Sequence, residues 1–265
     1  MENEFKNDTN YLDQHFLIDE SILEAFVDNC DLNKTDTVVE VGPGKCEISK
    51  YLAKKVSKLT CIELDKRLKP YLDDLQNNNK NVEVIYGSAL DTFIPKCNKI
   101  VSALPYSIVE PFVEKLLRCD FEEAILIVGK RFADNVTEKS INKLALLTNS
   151  FFRVEKVMDI APDAFEPRPR VMSSMIKMYP IKREELQTSF KKFIFRELFF
   201  NRERKLKNSL MEALISFVGL HGKQLTKNES RSIIEKYNLP DTMLNKVLEN
   251  LSNEDYKLLY DALEQ

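Results

Sequence analysis

The chain has 265 residues, 43% of them hydrophobic, with 39 Lys/Arg against 42 Asp/Glu and a formal net charge of −3. That length forms one large domain or a medium domain with a small one, and the apolar content suffices for a buried core, which excludes a disordered chain. The charge excludes a uniformly basic nucleic-acid binder. Five cysteines, Cys30, Cys46, Cys61, Cys97 and Cys119, lack CxxC pairing, which fits neither a disulfide framework nor a zinc site, so no metal is expected and a reducing cytoplasm is the expected compartment.

The first ten residues, MENEFKNDTN, are polar and lack the apolar core of a signal peptide. No apolar run approaches the roughly 18 residues that a membrane span needs. From residue 20 to about 180, short β-branched runs alternate with longer amphipathic stretches. TVVEVG (37–42), KLTCIELD (58–65), VEVIYG (82–87), KIVSALP (99–105) and EAILIVG (123–129) predict strands. KCEISKYLAKKV, RLKPYLDDLQNN and VEPFVEKLLRC between them predict helices. Strands alternating with helices imply βαβ units on a parallel sheet. FFRVEKVMDI and VMSSMIKMYP predict two further strands, an antiparallel pair at the sheet edge. Beyond YPIKREE only helical periodicity remains, in FKKFIFRELFF, LKNSLMEALISFV, ESRSIIEKYN, DTMLNKVLENL and NEDYKLLYDALE. The expected boundaries are 1–182 for an α/β domain and 183–265 for a small all-helical one. Residues 182–223 carry ten Lys/Arg against five Asp/Glu, either a phosphate-facing patch or a solvated face.

Two of the six glycines fall in EVGPGKCE, directly after a predicted strand. Gly42 and Gly44 at a strand-to-helix turn let backbone N–H groups approach a ligand closely. Glu63 ends the next strand, where a carboxylate can accept both hydroxyls of a ribose. Together with Glu40, this predicts a cradle for a nucleoside-type cofactor, although a lone GxG turn is also compatible with a purely structural role. No phosphate-binding-loop lysine pattern is present, which disfavours ATP chemistry.

Seven motifs in order then carry a resemblance. DQHFLID (13–19), EVGPGKCEIS, CIELD, YGSALD, SALPYSI, APDAFEPRPRVMSS and ELFFNRERKLKNSL are similar to the signatures of the KsgA-like ribosomal RNA dimethyladenosine transferases, most closely the archaeal branch, over nearly the whole length. The resemblance implies a Rossmann-like class I methyltransferase domain, mostly parallel with an antiparallel edge, followed by a small helical domain. It also implies S-adenosylmethionine as cofactor, small-subunit ribosomal RNA or a pre-ribosomal particle as partner, and a monomer. By the same resemblance, Gln14, His15 and Leu17 would line the methionine end of the cofactor. Gly42 and Gly44 would lie beneath it, Glu63 would bind its ribose, and Ser88 would stand at its adenine amine. Ala103, Leu104 and Pro105 would form the loop at the target amine, with Tyr106 and Phe165 on either side of a flipped adenine; on its residues alone, Phe165 reads equally well as a core aromatic. Arg202, Arg204, Lys205 and Lys207 would face RNA.

Four departures fall on chemistry. Ala103 replaces the Asn whose side-chain oxygen would accept from the target amine, a loss of about 3–4 kcal/mol or roughly 100- to 1000-fold in rate. Ser88 replaces an Asp, at about 1 kcal/mol. Cys46 replaces the third Gly of the cradle; it is accommodated if its φ is negative, or else can exclude the ligand altogether. Asp13 replaces a Gly beside Gln14. Ser102 is a poor substitute for the lost oxygen, because neighbours on a strand face opposite sides. Around the RNA surface, Gly129 and Arg131 replace Gln and Glu, INKL (141–144) replaces a Tyr-Gly-Arg-Leu stretch, and the amino-terminal arm is acidic. Three functions follow as expectations: a dimethyltransferase weakened but working, an RNA-binding ribosome-biogenesis factor with catalysis lost (a pseudoenzyme), or a methyltransferase retargeted to another acceptor. The altered positions favour the second.

Overall fold

The computed structural model describes residues 14–138 and 140–264. Asp13 therefore lies outside the described residues. The chain divides into two compact units, the first holding 14–134 and 154–179, the second 135–153 and 180–264. The segment 135–153 clusters with the helices of the second unit, whereas the expected boundary lies at 182.

The first unit is built on a seven-stranded sheet in the order β4-β3-β2-β5-β6-β9-β7. Its strands are β2 (Thr37–Val41), β3 (Lys58–Glu63), β4 (Val82–Tyr86), β5 (Lys99–Ala103), β6 (Glu123–Gly129), β7 (Phe152–Ile160) and β9 (Ser173–Pro180). The pairings from β4 through β6 are parallel, and β9 runs antiparallel to β6, giving the expected Rossmann-like sheet with an antiparallel edge. In β6 every residue but the last is buried, as a near-continuous apolar run covered on both faces demands. The predicted helices start and stop where chemistry allows: RLKPYLDDLQNN becomes the helix Lys69–Asn78 with Pro70 in its first turn, where a missing N–H costs nothing.

Elements beyond the predicted ones appear at the amino-terminal end. A helix spans Glu20–Asn29, and the Asp19 carboxylate caps it by accepting from the backbone N–H groups of Ser21 and Ile22 at 2.9 and 3.1 Å. Ahead of it, β1 (Phe16–Leu17) pairs antiparallel with β8 (Phe165–Glu166), matching Leu17 with Phe165. This two-residue ladder ties the amino-terminal arm to the Pro-rich segment after residue 160.

The second unit is helical. Its core gathers Ile194, Phe195, Leu198, Leu206, Leu210, Tyr256 and Leu259, all at 0–1% exposure, with Phe195 stacked on Tyr256 at 6.4 Å between ring centres. Capping boxes start the helices Lys227–Lys236, through Thr226 and Glu229, and Asn253–Ala262, through Ser252 and Asp255. The stretch DTMLNKVLENL, with a 3-10 turn at Leu248–Asn250, is α-helical only over Asp241–Leu244. Beyond it, Leu206 N–H donates to the Lys246 carbonyl (2.7 Å) and Leu248 N–H to that of Arg202 (3.1 Å), so pairing with the 202–206 loop replaces the next helical turn.

Candidate active site

A cavity of about 300 Å³ opens at the carboxyl ends of β2, β3, β5 and β6, the place where open α/β sheets bind ligands. The turn after β2 forms its floor. Gly42 and Gly44 both take left-handed conformations, φ 66° and 59°. A Cβ on Gly44 would sit 3.0 Å from two carbons of the Phe16 ring, so the arm and the turn fit only with glycine there. The Gly44 N–H donates to Glu63 Oε2 at 3.2 Å and the Asp65 N–H to Oε1 at 2.8 Å. A carboxylate has about four acceptor sites, so both Glu63 oxygens are anchored and each can still accept a hydroxyl. Burial raises the Glu63 carboxyl above its ordinary value, and the two backbone donors oppose that shift.

The opposite rim comes from the amino-terminal arm. Arg67 Nε bonds Asp65 Oδ1 at 2.9 Å and its Nη2 bonds Oδ2 at 2.8 Å, a bidentate pair. Asp65 Oδ2 also accepts from Gln14 Nε2 at 3.3 Å. The amide is thereby oriented, and Gln14 Oε1 is left on the cavity wall, buried and, among the described residues, without a protein donor. A buried acceptor of that kind calls for a ligand donor. Leu17 and Ser88 line the same cavity; the Ser88 hydroxyl accepts from Leu90 N–H at 3.2 Å. Leu64, 54% exposed, also lines it and offers an apolar face for a planar ring.

Glu40 does not reach this space. In the parallel register Val41 pairs with Ile62 and Glu40 with Cys61. Glu40 also pairs with Val101; Cys61 and Val101 each precede a cavity residue, Glu63 and Ala103, by two, so Glu40 shares their face of the sheet but lies one step deeper, beneath the cavity. Glu40 is 1% exposed, accepts from the Cys61 thiol at 3.7 Å, and burial pushes its carboxyl up to about 7. Cys46 is turned away from it. Its φ is 67°, not negative, yet its side chain is 1% exposed, packs into the core beneath the turn and forms no part of the cavity wall. Burial pushes its thiol up to about 12.

The wall at the end of β5 is formed by Ala103, Leu104, Pro105 and Tyr106, with Phe165, all of which line the cavity. Leu104 N–H donates to the Ile127 carbonyl at 3.0 Å, which fixes the loop against β6. The Tyr106 hydroxyl and Ser173 Oγ are 2.6 Å apart, and Gly129 leaves room beside the Tyr106 ring, a Cβ there lying 3.7 Å from it. His15 stacks on Tyr106 at 5.7 Å and 30°, with Nδ1 2.6 Å from the Pro167 carbonyl. Phe165 is 5% exposed and belongs to the apolar core as well as to the cavity wall. Ser102 is fully buried and donates its hydroxyl to the Val41 carbonyl at 2.5 Å, on the side predicted for it.

Arg202, Arg204, Lys205 and Lys207 belong to the second unit, around the loop that joins its helices Phe190–Phe200 and Leu206–Leu220. Arg202 pairs with Glu249 at 3.1 Å and covers the Phe199 ring at 4.8 Å. Sequence reasoning missed Phe16, Leu64 and Asp65. CIELD held the signal for the last two, an apolar and an acidic residue directly following a strand-end carboxylate.

Comparison with known proteins agrees with this arrangement. The sequence profile described as ribosomal RNA adenine dimethylase matches residues 5–251. A protein of Methanococcoides burtonii named probable ribosomal RNA small subunit methyltransferase A is 34% identical over 246 residues, 90% of this chain and 87% of its own. One of the same name from Methanococcus maripaludis is 32% identical over 271 residues, covering 95% and 98%. Among solved structures, a dimethyladenosine transferase from Plasmodium falciparum superposes with a TM-score of 0.64 at 24% identity, over 94% of this chain and 98% of its own. The 23S rRNA methyltransferase ErmE does so at 0.61 and 20%, over 94% and 100%; at those identities the two structures speak for the fold. With its profile match spanning most of its length and archaeal relatives above 30% identity, the chain belongs to the ribosomal RNA adenine dimethylase family.

Proposed function

We propose that this protein binds S-adenosylmethionine and small-subunit ribosomal RNA, with methyl transfer slowed so far that RNA binding during ribosome assembly is its main role. The observation that carries the proposal is the contrast at β5: Ala103 lines the cavity with a bare methyl group, and the hydroxyl of Ser102 is committed to the Val41 carbonyl.

The cofactor fits the residues present. Gly42 and Gly44 bring backbone close to a ligand, Glu63 has acceptor capacity for ribose hydroxyls, and Gln14 Oε1 awaits a donor. Such a cofactor supplies an activated methyl group on a sulfonium. The chain's own part is to orient an amine and accept its hydrogen bonds. Pro105, at φ −53°, fixes the loop so that backbone carbonyls can take one of them. A side-chain oxygen at 103 would take the other and aim the nitrogen lone pair; without it about 3–4 kcal/mol of transition-state stabilisation is missing. Tyr106 and Phe165 supply aromatic surface for a base taken out of its stack.

Titration calorimetry of the purified protein with S-adenosylmethionine is the test. Micromolar affinity supports the reading, and no heat at millimolar cofactor sinks its first half. Transfer of a labelled methyl group to immature small subunits at the rate of an unaltered relative would sink the second half and restore a working dimethyltransferase.

A further inference from the structure

Phe200 ends the helix Phe190–Phe200 with 56% of its surface exposed, although the second unit buries most of its other large aromatics. Its ring has three neighbours. Phe151 meets it at 5.5 Å and 85°, Phe199 at 6.1 Å and 67°, and the Arg196 guanidinium lies over it at 5.9 Å while also covering Phe151 at 4.9 Å. The next turn presents Arg204, Lys205 and Lys207, all exposed and, among the described residues, engaged in no ion pair. Glu203, directly before them, is an exposed carboxylate. An apolar ring left in water on a segment that continues into exposed cations is poorly placed for folding and well placed for nucleic acid, where cations hold phosphates and an aromatic face stacks a base.

We propose that Phe200 is a stacking platform for an unpaired RNA nucleotide whose flanking phosphates are held by Arg204, Lys205 and Lys207. The inference rests on the RNA-binding half of the proposed function and goes beyond it: it names a single-stranded feature, read by stacking, outside the cavity. Arg196 beneath the ring backs the platform, since a guanidinium and a base can occupy opposite faces of one aromatic.

The chain contains no tryptophan, so Phe200→Trp introduces a lone reporter. Binding of a ten-nucleotide single-stranded oligoadenylate and of an RNA duplex of equal length is measured by anisotropy for wild type, Phe200→Ala and Phe200→Trp, across a salt series. Phe200→Ala is expected to weaken single-strand binding about 5- to 150-fold, with duplex binding and the slope of log K against log salt unchanged. Phe200→Trp is expected to retain affinity and to lose fluorescence on saturation with the single strand. Replacing Arg204 and Lys207 by Gln should instead lower the salt slope by about 1.4 for the single strand. Single-strand affinity unchanged in Phe200→Ala, or undimmed Phe200→Trp emission in a saturated complex, overturns the platform while leaving RNA binding in place. Failure of the wild type to bind either RNA overturns the RNA reading and the platform with it.

Discussion

The two walls of the cavity differ in what they are made of. The wall built on β2 and β3 works through backbone: the Gly42–Gly44 turn, the N–H groups of Gly44 and Asp65 and the one carboxylate that gathers them. The wall at the end of β5, on the proposed function, needs a side-chain oxygen at 103, and there the chain has only Ala103. A site made of backbone tolerates replacement nearby, because Cys46 keeps the turn and points its thiol into the core. A site that depends on one side-chain oxygen loses its function with that oxygen. On the proposed function, binding and turnover are therefore separable in this molecule.

The sharpest way to break that contrast is to remove the group that organises the backbone wall. Glu63→Ala leaves the Gly44 and Asp65 N–H groups without their acceptor, and each buried unsatisfied donor costs about 1–3 kcal/mol. Cofactor binding should disappear in calorimetry, and thermal unfolding should shift to lower temperature. Undiminished affinity in a folded variant would show that the ligand does not sit on this wall.

The opposite experiment restores the other wall. Ala103→Asn should raise methyl transfer to immature small subunits by roughly 100- to 1000-fold with cofactor affinity unchanged. A gain under tenfold would locate the defect elsewhere, at Ser88 or in the altered RNA surface, and would remove the contrast between walls.

How much of this was legible in the sequence follows the same division. β2, β3, β5 and β6 were readable because strands buried on both faces need unbroken β-branched runs, and a glycine turn followed by a strand-end carboxylate announces its chemistry. The helix Lys143–Phe151 was not, since Asn142, which caps it by accepting from Ala145 N–H at 2.9 Å, sits in a polar stretch that reads as a loop. The ladder of β1 with β8 is two residues long, too short for any periodicity. Glu40 was placed in the cradle by its position in the motif; it does share the face of Glu63 and Ala103, but it sits one step deeper along the strands, a depth that residue identity does not reveal. The left-handed backbone of Cys46 left no trace in its identity.

Glu40 offers a pH-dependent test of the layer beneath the backbone wall. Burial raises its carboxyl from 4.5 to about 7, with the Cys61 thiol bonded to it and the Glu63 carboxylate acting in the same direction as burial. The folded protein thus holds a proton that the unfolded chain releases above about 4.5. This contribution to stability is complete below that pH and is lost as pH rises toward 7, on the order of 3 kcal/mol over the interval. Chemical unfolding at pH 5 and 7.5 should show wild type less stable at the higher value by that order, and Glu40→Gln should remove most of the difference. An equal slope in the variant would move the effect to Glu63, whose carboxyl burial also raises.

The smallest effect is expected at Cys46, and it bears most directly on why the backbone wall persists. Holding a residue other than glycine in the left-handed region costs about 1–2 kcal/mol, which Cys46→Gly relieves. The same change removes a buried side chain from the core beneath the turn and gives the unfolded chain more freedom, each a loss of about 1 kcal/mol. The terms oppose, so stability should move by about 1 kcal/mol or less. Because the thiol does not line the cavity, cofactor affinity should change less than about threefold. Calorimetry on Cys46→Gly decides between two views of this position. A tenfold or larger gain in affinity would mean that the cysteine distorts the turn the ligand needs, and the backbone wall would be as altered as the one at Ala103. An unchanged affinity would mean that a glycine site can accept a side chain when that side chain has an apolar space below the turn to enter.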